Sequence, residues 1–269
     1  MKESKKFDAI IIGGSYAGLS AAMSLGRSLR RVLIIDSGKP CNRQTPHSHN
    51  FITQDGVKPG DINELAKRQV LEYDTVKFMD DLAVSGYKSQ NGFHVKTKSG
   101  KEFSGNKLIV ATGVADVLPD IRGFSACWGI SIIHCPYCHG YEFRGLKTAI
   151  MADANKVMHL APLVNNLTDD LTVIVSNNAR KDDFKNEDLQ KLADHHIEII
   201  DTPVREFEHK NGQLRNVIFS DGKKIPFDGL YAAVPFKQHS EIPAELGCKL
   251  TEEGHIELDF FQTTSVAGV

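Results

Sequence analysis

The chain has 269 residues, of which 41% are hydrophobic and 25% are charged, and its formal net charge is -2. These values are ordinary for a globular protein, and the length is sufficient for two domains. The small net charge gives no electrostatic reason to expect nucleic acid or an anionic membrane as a partner. No apolar run approaches the ~20 residues of a transmembrane helix, and residues 10–12 are too short for a signal peptide. We therefore expect a cytoplasmic protein.

The first part of the chain predicts a strand, a loop, a helix and a second strand in close succession. Phe7–Ile12 has the pattern of an apolar strand, residues 16–29 that of a helix rich in alanine and leucine, and residues 31–36 that of the next strand. A polar segment then leads to a helix near residues 61–72 and to short strands that end at Gly113. This order is typical of a nucleotide-binding α/β unit.

The second half of the chain repeats this order. Strands are predicted at 147–151, 171–175 and 196–200, helices at 156–166 and 187–194, and a meander at 205–219. The closing stretch 99–113 of the first half also aligns with residues 221–235. We therefore predict an α/β fold of two Rossmann-like three-layer units, with the second inserted into the first. Residues 1–115 and 231–269 are expected to form the first unit, and residues 116–230 the second.

A glycine-rich loop, Gly13-Gly14-Ser15-Tyr16-Ala17-Gly18, lies between the first strand and the first helix. In such loops the glycines permit a tight turn, a close approach of backbone to pyrophosphate, and close packing of helix on strand. Serine stands at the middle glycine position. An acidic residue follows eighteen positions after the loop, at the end of the next strand, where it can bind ribose hydroxyls. The predicted dinucleotide site comprises Gly13, Gly14, Ser15, Ala17, Gly18 and Asp36.

The chain has five cysteines, and only Cys135 and Cys138 are close in sequence, within Cys135-Pro136-Tyr137-Cys138-His139-Gly140. At the start of a helical turn this spacing brings two thiols within disulfide reach, and helix N–H groups lower the pKa of the exposed thiol. His139 can act as the adjoining base or acid. A structural zinc site, a c-type haem attachment site, a glutaredoxin-like motif and an inert buried pair are alternatives. A redox pair behind a dinucleotide loop is favoured over them.

These motifs together resemble the low-molecular-weight thioredoxin reductases. The resemblance rests on the glycine loop, the Ala111-Thr112-Gly113 strand end, the cysteine pair at the head of the inserted unit, and residues 263–269. It implies that the first unit binds FAD, that the inserted unit binds NADPH, and that the cysteine pair exchanges electrons with the flavin. It also implies FAD-binding roles for Arg43, His49, Ala83, Ala111, Thr112 and Gly113.

The variant motif around the cysteine pair is similar to a branch that includes fungal and bacterial small-molecule dithiol oxidases. In the reductases an aspartate commonly follows the second cysteine, whereas His139 stands there in this chain. The resemblance implies that Cys138 faces the flavin as a charge-transfer thiolate and that Cys135 attacks the substrate. It implies as partners a thioredoxin-like protein or a small-molecule disulfide or dithiol, and a homodimer as the assembly.

The chain departs from the family pattern in two places. The second glycine loop is replaced by Ala152-Asp153-Ala154-Asn155-Lys156-Val157, in which Asp153 would repel a pyrophosphate, so NADPH binding is doubtful. In the family, the segment corresponding to residues 266–269 continues into an Ala-Gly-Asp turn and a helix of the flavin site. The first unit is accordingly expected to be truncated at its C-terminal end or to have lost part of that site.

Three hypotheses for function remain open. The leading one is an FAD-dependent disulfide oxidoreductase of the thioredoxin reductase type, acting through Cys135 and Cys138. The second is a dithiol oxidase that passes electrons from flavin to oxygen without NADPH. The third is a flavin-binding or redox-sensing protein without turnover. No metal is expected.

Overall fold

The computed structural model describes residues 6–176 and 179–269. These residues divide into two compact units. The first comprises the described residues up to Arg43 together with Pro59–Ala115 and Phe236–Val269. The second comprises Gln44–Lys58 and Asp116–Pro235. The second unit is thus inserted into the first, as predicted.

The strands and helices are numbered in chain order. The strands are β1 Phe7–Ile12, β2 Val32–Asp36, β3 Val76–Asp80, β4 Ala83–Ser89, β5 Gly92–Thr97, β6 Glu102–Val110, β7 Val114–Asp116, β8 Ile132–Ile133, β9 Thr148–Ala152, β10 Leu171–Val175, β11 Glu198–Ile200, β12 Val204–Lys210, β13 Gln213–Phe219, β14 Lys224–Pro226, β15 Gly229–Ala232 and β16 Phe236–Gln238. The helices are α1 Tyr16–Arg27, α2 Pro59–Leu71, α3 Phe124–Cys127, α4 Pro136–His139, α5 Ala154–Asn165, α6 Asn186–Asp194 and α7 Ile242–Glu245. Short 3-10 turns cover Gly140–Phe143 and Lys181–Asp183.

The first unit is built on a six-stranded sheet with the order β3-β2-β1-β6-β5-β4. Strands β3, β2, β1 and β6 run parallel, and β5 and β4 extend the sheet as antiparallel strands. Side chains of a strand alternate between the two faces of a sheet. Ile11 therefore packs with Leu19 of α1 and Val70 of α2, while Ile10 packs in the opposite core with Ile242 of α7. Both faces of the sheet are covered.

The second unit is built on a five-stranded parallel sheet with the order β11-β10-β9-β15-β8. Every residue of Leu171–Val175 is buried, which is typical of a parallel strand covered on both faces. One core cluster contains Val157 of α5, and the other contains Phe207 and Phe219 of the three-stranded sheet β12-β13-β14. The unit therefore has three layers, and the predicted α/β fold of two related units is confirmed.

The aligned stretches 99–113 and 221–235 have equivalent places in their units. β6 pairs in parallel with β1, and β15 pairs in parallel with β9. In the first unit one long strand, β6, continues from the antiparallel meander into the parallel sheet. In the second unit the same path is divided between β14, in the antiparallel sheet, and β15. The chain therefore returns beside the first strand of each unit.

The unit boundaries differ from the predicted ones in two places. A boundary between residues 230 and 231 would cut β15, which lies between β9 and β8 in the parallel sheet, and the observed boundary follows Pro235. Gln44–Lys58 belongs to the second unit instead of the first. The Gln44 side chain donates to the Ser125 carbonyl oxygen at 3.3 Å, which is one contact that holds this segment there. Across the described ranges, no helix is long and apolar enough to span a bilayer.

Candidate functional site

A cavity of about 650 Å³ lies in the first unit, where the parallel strands β1, β2 and β6 end. The carboxyl ends of parallel strands are the usual place for a ligand in an open α/β sheet. The predicted cofactor residues that line this cavity are Gly13, Ser15, Ala17, Asp36, Ala83, Ala111, Thr112 and Gly113. Residues from three separate strand ends therefore lie together at one cavity, and their binding of the cofactor stays a prediction.

The glycines of the loop are required by close contacts with the backbone and with neighbouring side chains. Gly13 has φ +103, and a Cβ there would collide with the Ala111 carbonyl oxygen. A Cβ on Gly18 would collide with the Gly13 carbonyl oxygen, and one on Gly14 would lie 2.8 Å from the Phe78 ring. Gly14 and Gly18 are outside the cavity lining, but they allow the loop to turn tightly between β1 and α1.

The N-terminus of α1 opens towards the cavity without a capping side chain. Ser15 is the N-cap residue, its side chain makes no capping hydrogen bond, and the first turn has no acidic residue. The first N–H groups of a helix lack partners within the helix, and the helix dipole makes this end positive. The loop therefore presents donors of the kind that bind a pyrophosphate.

Asp36 at the end of β2 is oriented by two backbone donors. Its Oδ2 accepts from the Gly14 N–H at 2.6 Å, and its Oδ1 accepts from the Gly38 N–H at 2.7 Å. A carboxylate oxygen can accept more than one hydrogen bond, so both oxygens keep capacity for ribose hydroxyls. The loop, the helix end and this carboxylate together fit a dinucleotide.

Arg43 and His49 lie outside this cavity. The Arg43 side chain is exposed, and its Nη1 donates to the Pro40 carbonyl oxygen at 3.1 Å. His49 belongs to the second unit. Their assignment to the cofactor stays a prediction that rests on the family resemblance.

Several residues that line the cavity were not predicted from the sequence, among them Lys39, Asp81, His239 and Glu241. Asp81 directly follows β3, so the strand-end rule that found Asp36 would have found it too. Hydrogen bonds from the Ser99 and Thr97 hydroxyls lower the pKa of Asp81 to about 2. His239 and Glu241 have no local signal, because they reach the cavity only when the chain returns to the first unit after β15.

The cysteine pair lies in the second unit at the head of a single helical turn. Cys135 is the N-cap of α4, and its carbonyl oxygen accepts from the Cys138 N–H at 3.3 Å. The Cys138 thiol donates to the Cys135 sulfur at 2.8 Å, and both side chains are half-buried. The turn therefore holds the two sulfurs together as predicted.

In this dithiol state the surroundings of Cys138 favour its protonated thiol, and its role as a thiolate facing the flavin stays a prediction. Burial first, and then the hydrogen bond and charge of Cys135, raise the pKa of Cys138 to about 12. The turn has only four residues, so it offers little helix dipole to oppose burial. In the dithiol state Cys138 therefore keeps its proton at neutral pH and needs a base to lose it.

His139 is the histidine next in sequence to Cys138, and it is half-buried. Burial lowers the pKa of His139 below its ordinary value of 6.5, the nearby His49 and His134 lower it further, and Glu142 raises it. The ring is therefore neutral near pH 7 and has a nitrogen that can accept a proton. The predicted role of a base fits this environment.

Aromatic residues near the pair have different environments. Trp128 is buried, and its Nε1 donates to Asp116 at 3.0 Å, so it is a core residue. Tyr137 and Tyr141 are exposed, at 68% and 66%. The Arg144 guanidinium lies 3.9 Å from the centre of the Tyr141 ring.

The turn between β9 and α5 is the place where the sequence lacks a second glycine loop. Side chains of the turn itself cap the helix there. Asp153 is the N-cap of α5, and its Oδ1 accepts from the Lys156 N–H at 3.0 Å. The Lys156 ammonium lies 3.1 Å from the Asp153 Oδ2. A carboxylate thus occupies the place at the helix end that a pyrophosphate would take. In the described ranges no cluster of His, Cys, Asp or Glu could hold a metal ion.

A dinucleotide cavity in one α/β unit and a close dithiol pair in a second, inserted unit define the class of two-domain disulfide oxidoreductases. Comparison with known proteins agrees with this class. Residues 7–269 match the family model described as pyridine nucleotide-disulphide oxidoreductase, and the chain belongs to this family. It is accordingly a flavoprotein disulfide oxidoreductase, and the family implies FAD as its cofactor.

Individual relatives agree with this assignment. The chain is 30% identical over 280 residues to thioredoxin reductase tcpT of Claviceps purpurea, with 100% of this chain and 86% of the relative covered. An oxidoreductase from Agrobacterium tumefaciens has a solved structure with a TM-score of 0.89 and 33% identity, covering 98% of this chain and 88% of the other. The TrxB structure from Bacillus anthracis has a TM-score of 0.92 and 28% identity, covering 97% and 87%. The resemblance to thioredoxin reductases is confirmed.

Proposed function

We propose that Cys135 and Cys138 exchange two electrons with FAD and with a thiol or disulfide substrate. The observation that carries this proposal is the 2.8 Å separation of the two sulfurs on one helical turn. Thiols on neighbouring positions of a turn can form an intramolecular disulfide without large backbone movement. His139 beside them supplies the proton acceptor that a thiol of raised pKa requires.

The cavity residues are proposed to hold FAD. Gly13, Ser15 and Ala17 would face the pyrophosphate at the end of α1, Asp36 would accept from the ribose hydroxyls, and the β6 end would line the remaining space. The exclusion of any Cβ at Gly13 supports this assignment, because the loop backbone itself forms the wall. When bound, FAD supplies the two-electron donor or acceptor for the pair.

The proposed sulfur chemistry uses the pair in its oxidised form to oxidise a dithiol. A substrate thiolate attacks one sulfur of the Cys135–Cys138 disulfide, and the other sulfur leaves as a thiolate. A second substrate thiol then attacks the mixed disulfide, which releases the substrate as a disulfide and leaves both enzyme sulfurs reduced. The two substrate protons end on the enzyme sulfurs or on His139. Disulfide reduction is the same sequence reversed.

A second candidate concerns the electron partner, and one observation favours it. The Asp153 carboxylate caps α5 where an NADPH pyrophosphate would bind. A chain that cannot take electrons from NADPH can still oxidise dithiols if oxygen is the acceptor. In that reaction two electrons and two protons per dithiol convert one oxygen molecule to hydrogen peroxide.

The double variant Cys135→Ser, Cys138→Ser tests the main proposal. We expect it to keep its flavin absorbance and to lose thiol–disulfide exchange with dithiothreitol or with a thioredoxin. Cys127→Ser is the matched control, because Cys127 is a buried cysteine of the same unit, and it should keep exchange. Turnover in the double variant at the wild-type rate would sink the proposal.

Anaerobic reduction of the flavin tests the direction of electron flow. If the second candidate is right, dithiothreitol bleaches the flavin absorbance near 450 nm, NADPH does not, and admission of oxygen yields peroxide. Stoichiometric bleaching by NADPH would instead make the protein a reductase. A colourless protein that cannot be reconstituted with FAD would contradict both and favour the redox-sensing hypothesis.

The partner and the assembly are also proposals. We propose a thioredoxin-like protein or a small dithiol as the partner, and the exposed rings of Tyr137 and Tyr141 are available to contact it. A homodimer is proposed from the family resemblance, and a cytoplasmic location from a cysteine usage that suits a reducing compartment. Light scattering during gel filtration tests the homodimer, because a single chain has half the mass of the dimer.

A further inference from the structure

Three charged or titratable side chains of the second unit surround His139. His49 comes from Gln44–Lys58, Glu142 from the 3-10 turn after α4, and His134 from the segment before it. The ring centroids of His49 and His139 are 6.2 Å apart, with the rings edge to face at 89°. The proton acceptor of the cysteine pair is therefore set in a small charged cluster.

His49 is held by carboxylates on both sides of its ring. Its Nε2 lies 3.5 Å from the Glu142 Oε1, and its Nδ1 lies 3.5 Å from the Asp55 Oδ1. The same Asp55 oxygen accepts from the Asn50 N–H at 2.9 Å, which fixes the carboxylate within its loop. When both ring nitrogens carry a proton, each can donate to one carboxylate. The loop thus positions His49 so that its ring, when protonated, places a positive charge beside His139.

Glu142 is held in place by the packing of the turn beneath it. Gly140 lies so close to the core that a Cβ there would be 2.5 Å from Leu167 and 3.3 Å from the Tyr231 hydroxyl. Both Gly140 and Phe143 of the same turn are buried. The turn therefore places the partly exposed Glu142 carboxylate 3.5 Å from the His49 ring, where its charge also acts on His139.

We propose that His49 and Glu142 act as a positioning pair of opposite charge that balances the protonation of His139 during thiol exchange. This inference rests on the proposed role of the cysteine pair. In the step concerned, the S–H bond of a thiol breaks, its electron pair stays on sulfur, and a new N–H bond forms on His139. Glu142 stabilises the resulting imidazolium, and His49 limits this stabilisation so that the proton can leave again. His49 then serves the cysteine pair instead of the cofactor.

The proposal predicts that removing Glu142 and removing His49 shift the titration midpoint of His139 in opposite directions. In Glu142→Gln the anion is lost, so the titration midpoint of His139 should move to lower pH. In His49→Gln the charge that protonated His49 carries is lost, so the titration midpoint of His139 should move to higher pH. Screened charges ~6 Å apart should shift it by about half to one pH unit. The double variant should titrate close to the wild type, because the two changes cancel.

Nuclear magnetic resonance of the reduced holoenzyme with ¹³C-labelled histidine measures this midpoint directly. The His139 signal is assigned as the one missing from His139→Asn. Two variants of the same unit serve as controls: Glu208→Gln removes a carboxylate paired with Lys224, and His195→Gln removes an exposed imidazole. Both should leave the midpoint unchanged. Glu142→Asp keeps the charge and should restore the wild-type value.

The outcomes separate the pair from the proposed function. If the His139 midpoint shifts in the same direction in Glu142→Gln and His49→Gln, or in neither, then His49 and Glu142 do not control the protonation of His139. If the midpoint shifts as expected, the pH profile of anaerobic flavin reduction by dithiothreitol should shift with it. A midpoint that moves without the pH profile would show that His139 is not the base, and it would overturn the role of His49 and Glu142 in thiol exchange while leaving exchange by Cys135 and Cys138 standing. If Glu142→Gln does not fold, the upward shift in His49→Gln decides alone.

Discussion

The two units share the order strand, turn and helix, yet their first turns have opposite properties. Between the end of β1 at Ile12 and the N-cap of α1 at Ser15 lie Gly13 and Gly14, and the helix end carries no capping side chain. In the second unit Ala152 ends β9, and the next residue, Asp153, is already the N-cap of α5. The second turn thus lacks the two residues that let a backbone bend around a phosphate.

The architecture and the binding site are thus separate properties of this fold. Both helices have twelve residues and both follow a buried parallel strand. In the first, no side chain caps the helix, and the positive end of the helix dipole lies at the cavity. In the second, the Asp153 carboxylate accepts from the Lys156 N–H of the first turn and pairs with the Lys156 ammonium. The first turn is therefore the one proposed to bind the dinucleotide, and the second is capped by its own side chain.

The largest effect, on flavin binding, is expected when valine replaces the third residue of α1 and is compared with valine at the third residue of α5. Gly18→Val places a side chain against the Gly13 carbonyl oxygen, and such overpacking costs ~1–3 kcal/mol of stability and displaces the loop. We expect the flavin absorbance per protein to fall to a small fraction of the wild-type value. Lys156→Val, at the equivalent position of α5, should keep full flavin absorbance. A Gly18→Val protein with stoichiometric flavin would contradict the assignment of this loop.

The next effect concerns the two N-cap residues. Asp153→Ala removes a side-chain cap, so the free energy of unfolding should fall by about 1 kcal/mol. Ser15→Ala removes a side chain that makes no capping bond, so stability should change little while the FAD affinity decreases. Urea denaturation and flavin titration of both variants measure this contrast. Equal destabilisation by Asp153→Ala and Ser15→Ala would show that the Asp153 cap does not stabilise its helix more than Ser15 does.

NADPH provides a further test of the second turn. Because the turn is also two residues shorter, Asp153→Ala should not gain NADPH binding, as measured by isothermal titration calorimetry. Asp153→Asn is the milder control, since it keeps a side-chain acceptor for the Lys156 N–H. Tight NADPH binding by Asp153→Ala would mean that the carboxylate alone closes the site.

Much of this comparison could be predicted from the sequence, because its signals are local. A glycine loop between an apolar strand and a helix indicates Gly13 and Ser15, and the strand end indicates Asp36. The spacing of Cys135 and Cys138 predicts that their thiols lie close together. What could not be predicted depends on contacts between distant segments. His49 joins Glu142 because Gln44–Lys58 packs with the inserted unit, and no pattern near His49 shows this.

A smaller effect is expected at equivalent positions of β6 and β15. Ile109 pairs with Ile11 in the first unit, and Tyr231 pairs with Ile150 in the second. The Tyr231 hydroxyl is buried and has no hydrogen-bond partner among the described residues, and burial raises its pKa to about 12. Burying an unsatisfied hydroxyl costs ~1–3 kcal/mol, so Tyr231→Phe should raise the free energy of unfolding by up to about 1 kcal/mol. Ile109→Val, which removes one methylene, should lower it. A destabilised Tyr231→Phe would imply a partner for the hydroxyl.

The smallest effect is a pH dependence of stability from His139. Because burial lowers the pKa of folded His139 below 6.5, the unfolded chain binds more protons between the folded and unfolded values. The contribution of the neutral ring to stability is thus fully present above pH 6.5. It is lost as the pH falls through the pKa of His139 in the folded protein. His139→Asn should flatten this part of the profile, measured by urea denaturation between pH 5 and pH 8. His195→Asn, at an exposed position, should leave it unchanged. A profile that steepens in His139→Asn would mean that the ring is charged in the folded protein, and the base would have to be sought elsewhere in the cluster.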